Sequence, residues 1–214
     1  MTRISVLGGT GYSGAAIVAE AARRGHTVTA FSRNPPKDPV PGVRYVTGSA
    51  LEADVLAQAF DEVDVVFEAL SPRGDMADKV DGVIDALILG ARTAGVRLGV
   101  LGGVSSVLVS PDGPRLFDVS EQPPEVLPEI EVGLRKLERL RSEDEGLDWF
   151  YVSPAAEFGA WVPSTETGAY RISDDVLLKG EDGRSEISAA DLAIAIVDEI
   201  EHPSYHRRRF HVAH

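Results

Sequence analysis

Three glycines spaced three apart, Gly8, Gly11 and Gly14, stand in the run Gly8-Gly9-Thr10-Gly11-Tyr12-Ser13-Gly14. The run follows a short apolar stretch, Ile4 to Leu7, and opens a helical pattern. Strand, glycine turn and helix N-terminus, in that order, let free backbone N–H groups and the positive end of a helix dipole hold a pyrophosphate. Gly8 makes the turn, Gly11 lets the phosphates approach the backbone, and Gly14 allows close helix packing. The spacing therefore points to dinucleotide binding, with a merely tight turn as the competing reading. The second apolar run ends Phe31-Ser32-Arg33-Asn34, with Arg33 where a carboxylate for the ribose hydroxyls of NAD is expected. A guanidinium suits a 2′-phosphate by bidentate hydrogen bonds and by stacking on adenine, which favours NADPH over NADH. Lys37 adds charge nearby; an ordinary solvated arginine is the alternative for Arg33.

Other residues carry weaker chemical signals. Ser105 and Ser106 follow the fifth apolar run and either hydrogen-bond a substrate carbonyl or cap a loop. Glu68 is a carboxylate in an apolar strand run, either an acid of raised pKa or a residue in an ion-paired or edge position. Phe158, Trp161 and Tyr170 form an aromatic wall for a planar substrate or simply pack. Ser188 and Asp191 have the S-x-x-D spacing of a capping box, which accounts for them structurally. His202, His206, His211 and His214 straddle a proline turn and a strand rather than one helix face. They are read as solvated or incidental, with no metal site.

With these residues in place, the chain resembles the atypical short-chain dehydrogenase/reductases of the NAD(P)H-binding, flavin-reductase-like group that includes biliverdin reductase B. The resemblance covers nearly the whole chain. It rests on Gly8 to Gly14, Leu70-Ser71-Pro72-Arg73, Leu101-Gly102-Gly103, Ser153 to Gly159, Thr167-Gly168-Ala169-Tyr170 and Ile187 to Ala193. It implies that Thr10, Gly11, Tyr12, Ser13 and Gly14 hold the phosphates with Ser32 and Arg33, and that Ser49 and Ala50 flank adenine. Leu70 to Arg73 with Gly102, Gly103 and Val104 would line the nicotinamide ribose, and Ser153, Pro154 and Ala155 would face the carboxamide.

The sequence departs from the wider superfamily at its catalytic Tyr-x-x-x-Lys. Four residues after Tyr12, Tyr45, Tyr151, Tyr170 and Tyr205 stand Ala16, Ser49, Ala155, Asp174 and Arg209, and four before Lys136 stands Val132. Losing a positioned acid costs ~10² to 10⁴ in rate, which matters for a reaction that forms an alkoxide and less for an acceptor that spreads the charge itself. The expectation is an NAD(P)H-dependent reductase of flavin or another planar conjugated acceptor. A non-catalytic NADP(H)-binding redox sensor is the alternative.

These groups must be positioned by a doubly wound α/β fold with helices on both faces of a mostly parallel sheet. Strand-like runs lie at Ile4–Leu7, Val28–Phe31, Val43–Val46, Val63–Phe67, Leu98–Leu101 and Trp149–Val152, with helical patterns near 13–24, 52–60, 76–94 and 128–143. After these come a loop over 153–168, two short strand-like runs around Asp182-Gly183, a helix over 189–201 and a last run, Arg209–Ala213. The segment 153–188 is expected as a substrate-side loop and hairpin within one domain spanning 1–214.

With 214 residues, the chain can bury roughly 70% of its unfolded surface. It has no cysteine, which suits a reducing compartment, and its N-terminus lacks a signal-peptide core, so a cytoplasmic protein is expected. No run approaches the ~20 apolar residues of a membrane span. The 34 acidic and 21 basic residues give a net charge of −13, which opposes nucleic-acid binding. The expected partner is a small planar acceptor, with the protein a monomer or homodimer.

Overall fold

The computed structural model of the chain describes residues 1–162 and 165–214; Pro163 and Ser164, within the loop expected over 153–168, lie outside them, as does the side chain of Asp75. Eight strands form one sheet: β1 (Arg3–Leu7), β2 (Thr27–Ser32), β3 (Arg44–Thr47), β4 (Val65–Glu68), β5 (Arg97–Leu101), β6 (Trp149–Ser153), β7 (Arg171–Ser173) and β8 (Arg208–Ala213). Their order is β3-β2-β1-β4-β5-β6-β8-β7. Every pairing is parallel except β7 with β8. The six expected strands are present, and the last expected run is β8. Around Asp182-Gly183 there is a turn, closed by the Gly180 N–H to the Arg184 carbonyl at 2.7 Å, without the two flanking strand runs. The edge of β8 pairs instead with Arg171–Ser173, which lies earlier in the chain.

Among the described residues, six helices flank the sheet: α1 (Tyr12–Arg23), α2 (Ala53–Gln58), α3 (Val80–Ala94), α4 (Leu116–Val119), α5 (Leu127–Arg141) and α6 (Ala189–Glu201). The pattern expected from residue 76 begins as a helix only at Val80, because a tight 3-10 turn, Gly74–Met76, comes first. Helices form where apolar residues recur every three or four positions, and burying each such side chain is worth ~1.5 to 3 kcal/mol. In α3 these are Val80, Val83, Ile84, Leu87, Ile88 and Ala91.

Alternation along the strands divides the core in two. Ile4, Val6, Ala30, Phe67, Phe150 and Phe210 meet α1 and α6, while Leu7, Phe31, Val100 and Tyr151 meet α2, α3 and α5. Lateral partners share a face, so the register draws a row across the carboxyl edge of the sheet. The row runs Val46, Phe31, Leu7, Glu68, Val100, Tyr151, Arg209. It is apolar on one side of the switch in strand order and largely polar on the other.

Two motifs distant in sequence meet behind this sheet. Ser188 caps α6 by accepting from the Asp191 N–H at 2.9 Å. The fully buried Asp191 carboxylate accepts from the N–H groups of Thr167 (2.9 Å) and Gly168 (2.8 Å), from the Ser188 hydroxyl and from His214. Burial pushes its pKa up. The hydrogen bonds from Thr167, His214, Ser188 and Gly168 outweigh that and hold it below the usual carboxylate range. A depressed folded pKa contributes stability that is fully present above the ordinary carboxylate range and is lost as pH falls through the folded value. Asp191→Ala should therefore destabilise the protein by ~2 to 4 kcal/mol near neutral pH, because buried donors lose their acceptor. Urea unfolding of both proteins checks this. Their difference should shrink on acidification below the carboxylate range, and a constant difference would contradict the assignment.

Candidate functional site

Where strand order reverses, between β1 and β4, a cleft of about 830 Å³ opens along the carboxyl ends of the strands. Its first wall is the glycine loop. The N–H groups of Gly8 and Gly9 both reach the Phe31 carbonyl, at 2.9 and 3.1 Å, fixing the loop to β2. Gly8 has φ +81°, and a Cβ there would lie 2.5 Å from the Ala69 carbonyl oxygen. A Cβ on Gly14 would lie 2.1 Å from the Gly8 carbonyl oxygen, so α1 can start hard against the loop only with glycine at that position. Gly11 differs. It has extended backbone, and its Cβ would meet only the Gly8 oxygen, at 3.2 Å. No side chain caps α1 and no acidic residue stands in its first turn, so its leading N–H groups remain available to an anion.

The cleft is also lined by Thr10, Tyr12, Ser13, Ser32, Arg33, Ala50, Leu70, Ser71, Pro72 and Arg73, and by Gly102, Gly103, Val104, Ser105, Ser106, Pro154, Ala155, Phe158 and Trp161. Arg33 is exposed at the rim. The Ser32 hydroxyl donates to the Asn34 carbonyl at 2.7 Å.

Three expected residues are placed elsewhere. Ser49 sits in the turn before α2, its Oγ accepting from the Leu51 N–H at 3.2 Å, while its neighbours Gly48 and Ala50 line the cleft. Ser153 is fully buried beneath the rim. Tyr170 gives its hydroxyl to Asp198 of α6 and packs in the core of the opposite face, outside the cleft; burial and that carboxylate push its pKa up. Of the two readings of the histidines, solvated or incidental, the first does not describe His211. It is fully buried against the Ser153 carbonyl (3.0 Å), and burial pushes it down to about 4.

Charged and aromatic residues tie the walls together. Arg73 pairs with Glu129 of α5 at 2.7 Å and lies 5.7 Å from the centre of the Trp161 ring, joining three segments at the mouth. The rings of Tyr12 and Phe158 are 5.4 Å apart. At the floor, Glu68 forms a buried ion pair with Lys136 (2.7 and 2.9 Å) and accepts from the Leu70 N–H at 2.9 Å. Of the two readings of Glu68, the ion pair is the one present. Tyr151, fully buried, donates to the Gly133 carbonyl (2.9 Å) and accepts from the Gly103 N–H (3.3 Å). Burial pushes its pKa up, so its proton stays where it is.

Sequence reasoning missed this floor and the α5 wall, where Val126, Ile130 and Gly133 line the cleft. Their spacing of four and three was one signal. Another was a pair of opposite charges, Glu68 and Lys136, each set in an otherwise apolar stripe.

The sequence model of the NAD(P)H-binding family matches residues 8–203, nearly the whole chain. This chain belongs to the NAD(P)H-binding family. Several solved structures are similar to this chain and differ in what they are thought to do. A candidate exported protein of Burkholderia pseudomallei is 37% identical, with TM-score 0.85 and complete coverage of both chains. A candidate epimerase of Bacteroides thetaiotaomicron is 31% identical, with TM-score 0.87 over 100% of this chain and 97% of the other. A candidate NADH-flavin reductase of Streptococcus pneumoniae is 27% identical, with TM-score 0.87 over 100% and 99%. The fold is thus the Rossmann type, consistent with the flavin-reductase-like group, and a nicotinamide dinucleotide is the cofactor class.

The residues present fit such a cofactor, since α1 offers uncapped N–H groups beside a loop that a Cβ at Gly11 would begin to fill. Protein atoms tolerate a side chain at Gly11 far better than at Gly14. Gly11→Val should therefore keep its unfolding temperature within a few degrees of wild type and lose NAD(P)H binding, whereas Gly14→Val should lose stability as well. Calorimetric titration and thermal unfolding check this; a folded Gly11→Val protein of unchanged affinity would remove the loop from the site.

Proposed function

We propose that this protein is an NADPH-dependent reductase of flavin or another planar conjugated acceptor. In this reading the loop from Thr10 to Gly14 and Arg33 hold the phosphates, and Ala50 flanks adenine. Leu70 to Arg73 with Gly102 to Val104 border the nicotinamide ribose, and Pro154 and Ala155 face the carboxamide. The cofactor supplies a hydride, so that NADPH, a proton and the acceptor become NADP⁺ and the two-electron-reduced acceptor.

The observation that carries the reading is the floor of the cleft. Its phenol, Tyr151, commits its proton to Gly133, and its lysine, Lys136, is held by Glu68. Neither stands ready to protonate an alkoxide. An acceptor that spreads the incoming charge over its own ring needs chiefly to be stacked and kept from water, and Phe158, Trp161, Val126 and Ile130 provide apolar walls for that. Proximity and orientation then supply most of the acceleration. We place the reductase in the cytoplasm, as the absence of cysteine favours, although one similar structure is of a candidate exported protein. Among the described residues, no helix is long and apolar enough to cross a membrane. Fractionation of the producing cells tests the location.

Two outcomes are expected in solution. NADPH should bind more tightly than NADH, and Arg33→Ala should erase most of the preference. Charge-assisted hydrogen bonds of ~1.5 to 3 kcal/mol correspond to about 10- to 150-fold. Titration of both cofactors against both proteins checks it, and equal wild-type affinities would contradict it. Purified protein should also oxidise NADPH with FMN, FAD, riboflavin or a quinone, with Phe158→Ala and Trp161→Ala raising the apparent KM for the acceptor. Tight NADPH binding without reduction of any acceptor would end the reductase reading in favour of a redox sensor.

A further inference from the structure

Buried hydrogen bonds hold the floor of the cleft: Glu68 to the Leu70 N–H, Tyr151 to Gly103 and Gly133, and Arg209, on β8, from Nη1 to the Ser106 Oγ at 3.0 Å. The glycine loop and the segment after β6 meet in another way. Tyr12 and Phe158 both line the cleft, and their rings lie 5.4 Å apart with planes inclined at 54°. We propose that Tyr12 is a positioning residue for Phe158, through which a dinucleotide on the glycine loop sets the apolar wall against which the acceptor stacks. The inference rests on the reductase reading above and assigns the order in which that site fills, cofactor first and acceptor second.

Tyr12 belongs to both halves of the site. It is the first residue of α1, and the first bond of that helix runs from the Ala15 N–H to the Gly11 carbonyl at 2.8 Å. The Tyr12 N–H therefore stands among the leading groups that an anion on the loop engages. The residue is 41% exposed, and its ring reaches Phe158. Fixing the backbone through phosphate contacts narrows the directions open to that ring.

Phe158 stands at a junction in its own segment. Before it, the N–H groups of Ala156 and Glu157 donate to Ser185, at 3.2 and 2.7 Å, and the Glu157 carboxylate pairs with Arg184 at 2.5 Å. After it, the chain turns at Gly159, whose carbonyl accepts from the Val162 N–H at 3.0 Å. The Trp161 ring lies so close to Gly159 that a Cβ there would stand 2.4 Å from it. Trp161, 70% exposed, is thus seated on the residue next to Phe158. Displacing the Phe158 ring would carry this wall with it.

A ring pair at this separation is worth about 2- to 12-fold in an equilibrium constant, which sets a ceiling on what the contact can transmit. A ligand shifts a neighbouring site only by treating that site's states differently, and here the difference is a Tyr12 ring held rather than free. Linkage makes the effect reciprocal, so the acceptor tightens the dinucleotide by the same factor. Direct stacking of the acceptor on nicotinamide couples the two sites as well. The transmitted part is therefore isolated with a dinucleotide that lacks the nicotinamide ring.

That probe is 2′-phospho-ADP-ribose, which keeps the phosphates of NADPH. Calorimetric titration of FMN, or of menadione where only the quinone is reduced, is run with the probe absent and saturating. The proteins are wild type, Tyr12→Phe, Tyr12→Leu, Phe158→Leu and the Tyr12→Leu/Phe158→Leu double variant. The probe should tighten acceptor binding by ~3- to 10-fold in wild type and in Tyr12→Phe, which keeps the ring. In each leucine variant the change should fall below about 2-fold, and the double variant should lose no more coupling than either single one. Each coupling is a ratio within one protein, so a variant that binds either ligand more weakly still reports it. Should Tyr12→Leu not fold, Phe158→Leu reads the same contact from the other side. A wild-type acceptor affinity indifferent to the probe, coupling retained in the leucine variants, or coupling lost in Tyr12→Phe would overturn the inference while leaving the reductase reading in place. A wild-type protein that oxidises NADPH with neither acceptor removes that reading, and the inference with it.

Discussion

The contact on which the site depends is the approach of α1 to the loop that precedes it. With a Cβ at residue 14 placed 2.1 Å from the Gly8 carbonyl oxygen, the helix can begin at Tyr12 only because position 14 is glycine. That start aims the helix N-terminus, uncapped by any side chain, along the carboxyl edge of β1. The phosphate-binding end of the cleft follows from it, as does the burial of Ile17, Val18 and Ala21 one and two turns later. The loop is fixed from the other side by the Phe31 carbonyl, which takes two of its N–H groups. Strand β2 therefore sets both the turn and, two residues on, the position of Arg33.

The other half of the cleft is organised by burying charge rather than by close packing of backbone. Parallel strands covered on both faces are ordinarily apolar throughout. Here the edge row carries Glu68, Tyr151 and Arg209, and each is matched by hydrogen bonds to a loop that the sheet alone would leave unsupported. Such groups are costly to desolvate, and replacing one partner leaves the other buried and unpaired. Lys136 illustrates the consequence. It is 3% exposed and engaged by both Glu68 oxygens. Its removal would disturb the floor itself, so a fall in rate on mutating it would say little about proton transfer.

How much of this was legible beforehand depended on whether the signal was local. The glycine loop, the strands and the long helices were readable because turn chemistry and apolar periodicity act over a few residues. The same holds for the Ser188 cap. Tyr170 was misplaced because its aromatic type suggested a wall of the cleft, whereas its partner, Asp198, lies twenty-eight residues away on α6. The hairpin around Asp182-Gly183 was misjudged for a similar reason. The turn residues are present, but β8 offers its edge to Arg171–Ser173, and pairing of that kind is settled by tertiary structure rather than by local propensity. The floor was hidden more deeply, since Glu68 and Lys136 are sixty-eight residues apart and Ser106 and Arg209 one hundred and three.

Charge distribution reconciles an acidic protein with an anionic cofactor. The chain carries −13 overall, yet among the described residues those lining the cleft include Arg33, Arg73 and Lys136, with one carboxylate, Glu129. Several carboxylates elsewhere are drawn into pairs on the outer faces. Arg24 meets Glu20, Asp198 and Glu201 between α1 and α6, and Arg139 meets Asp85 and Glu143 between α3 and α5. These pairs lie away from the cleft, and the exposed carboxylates of the excess are screened over about 10 Å at ordinary ionic strength. The phosphates would therefore respond mainly to what is within that range: the helix N-terminus, the loop N–H groups and the two arginines of the rim. Selectivity for an anion can be built in this way without a basic protein, because short-range dipoles and a few nearby guanidinium groups outweigh a distant, screened excess of carboxylate.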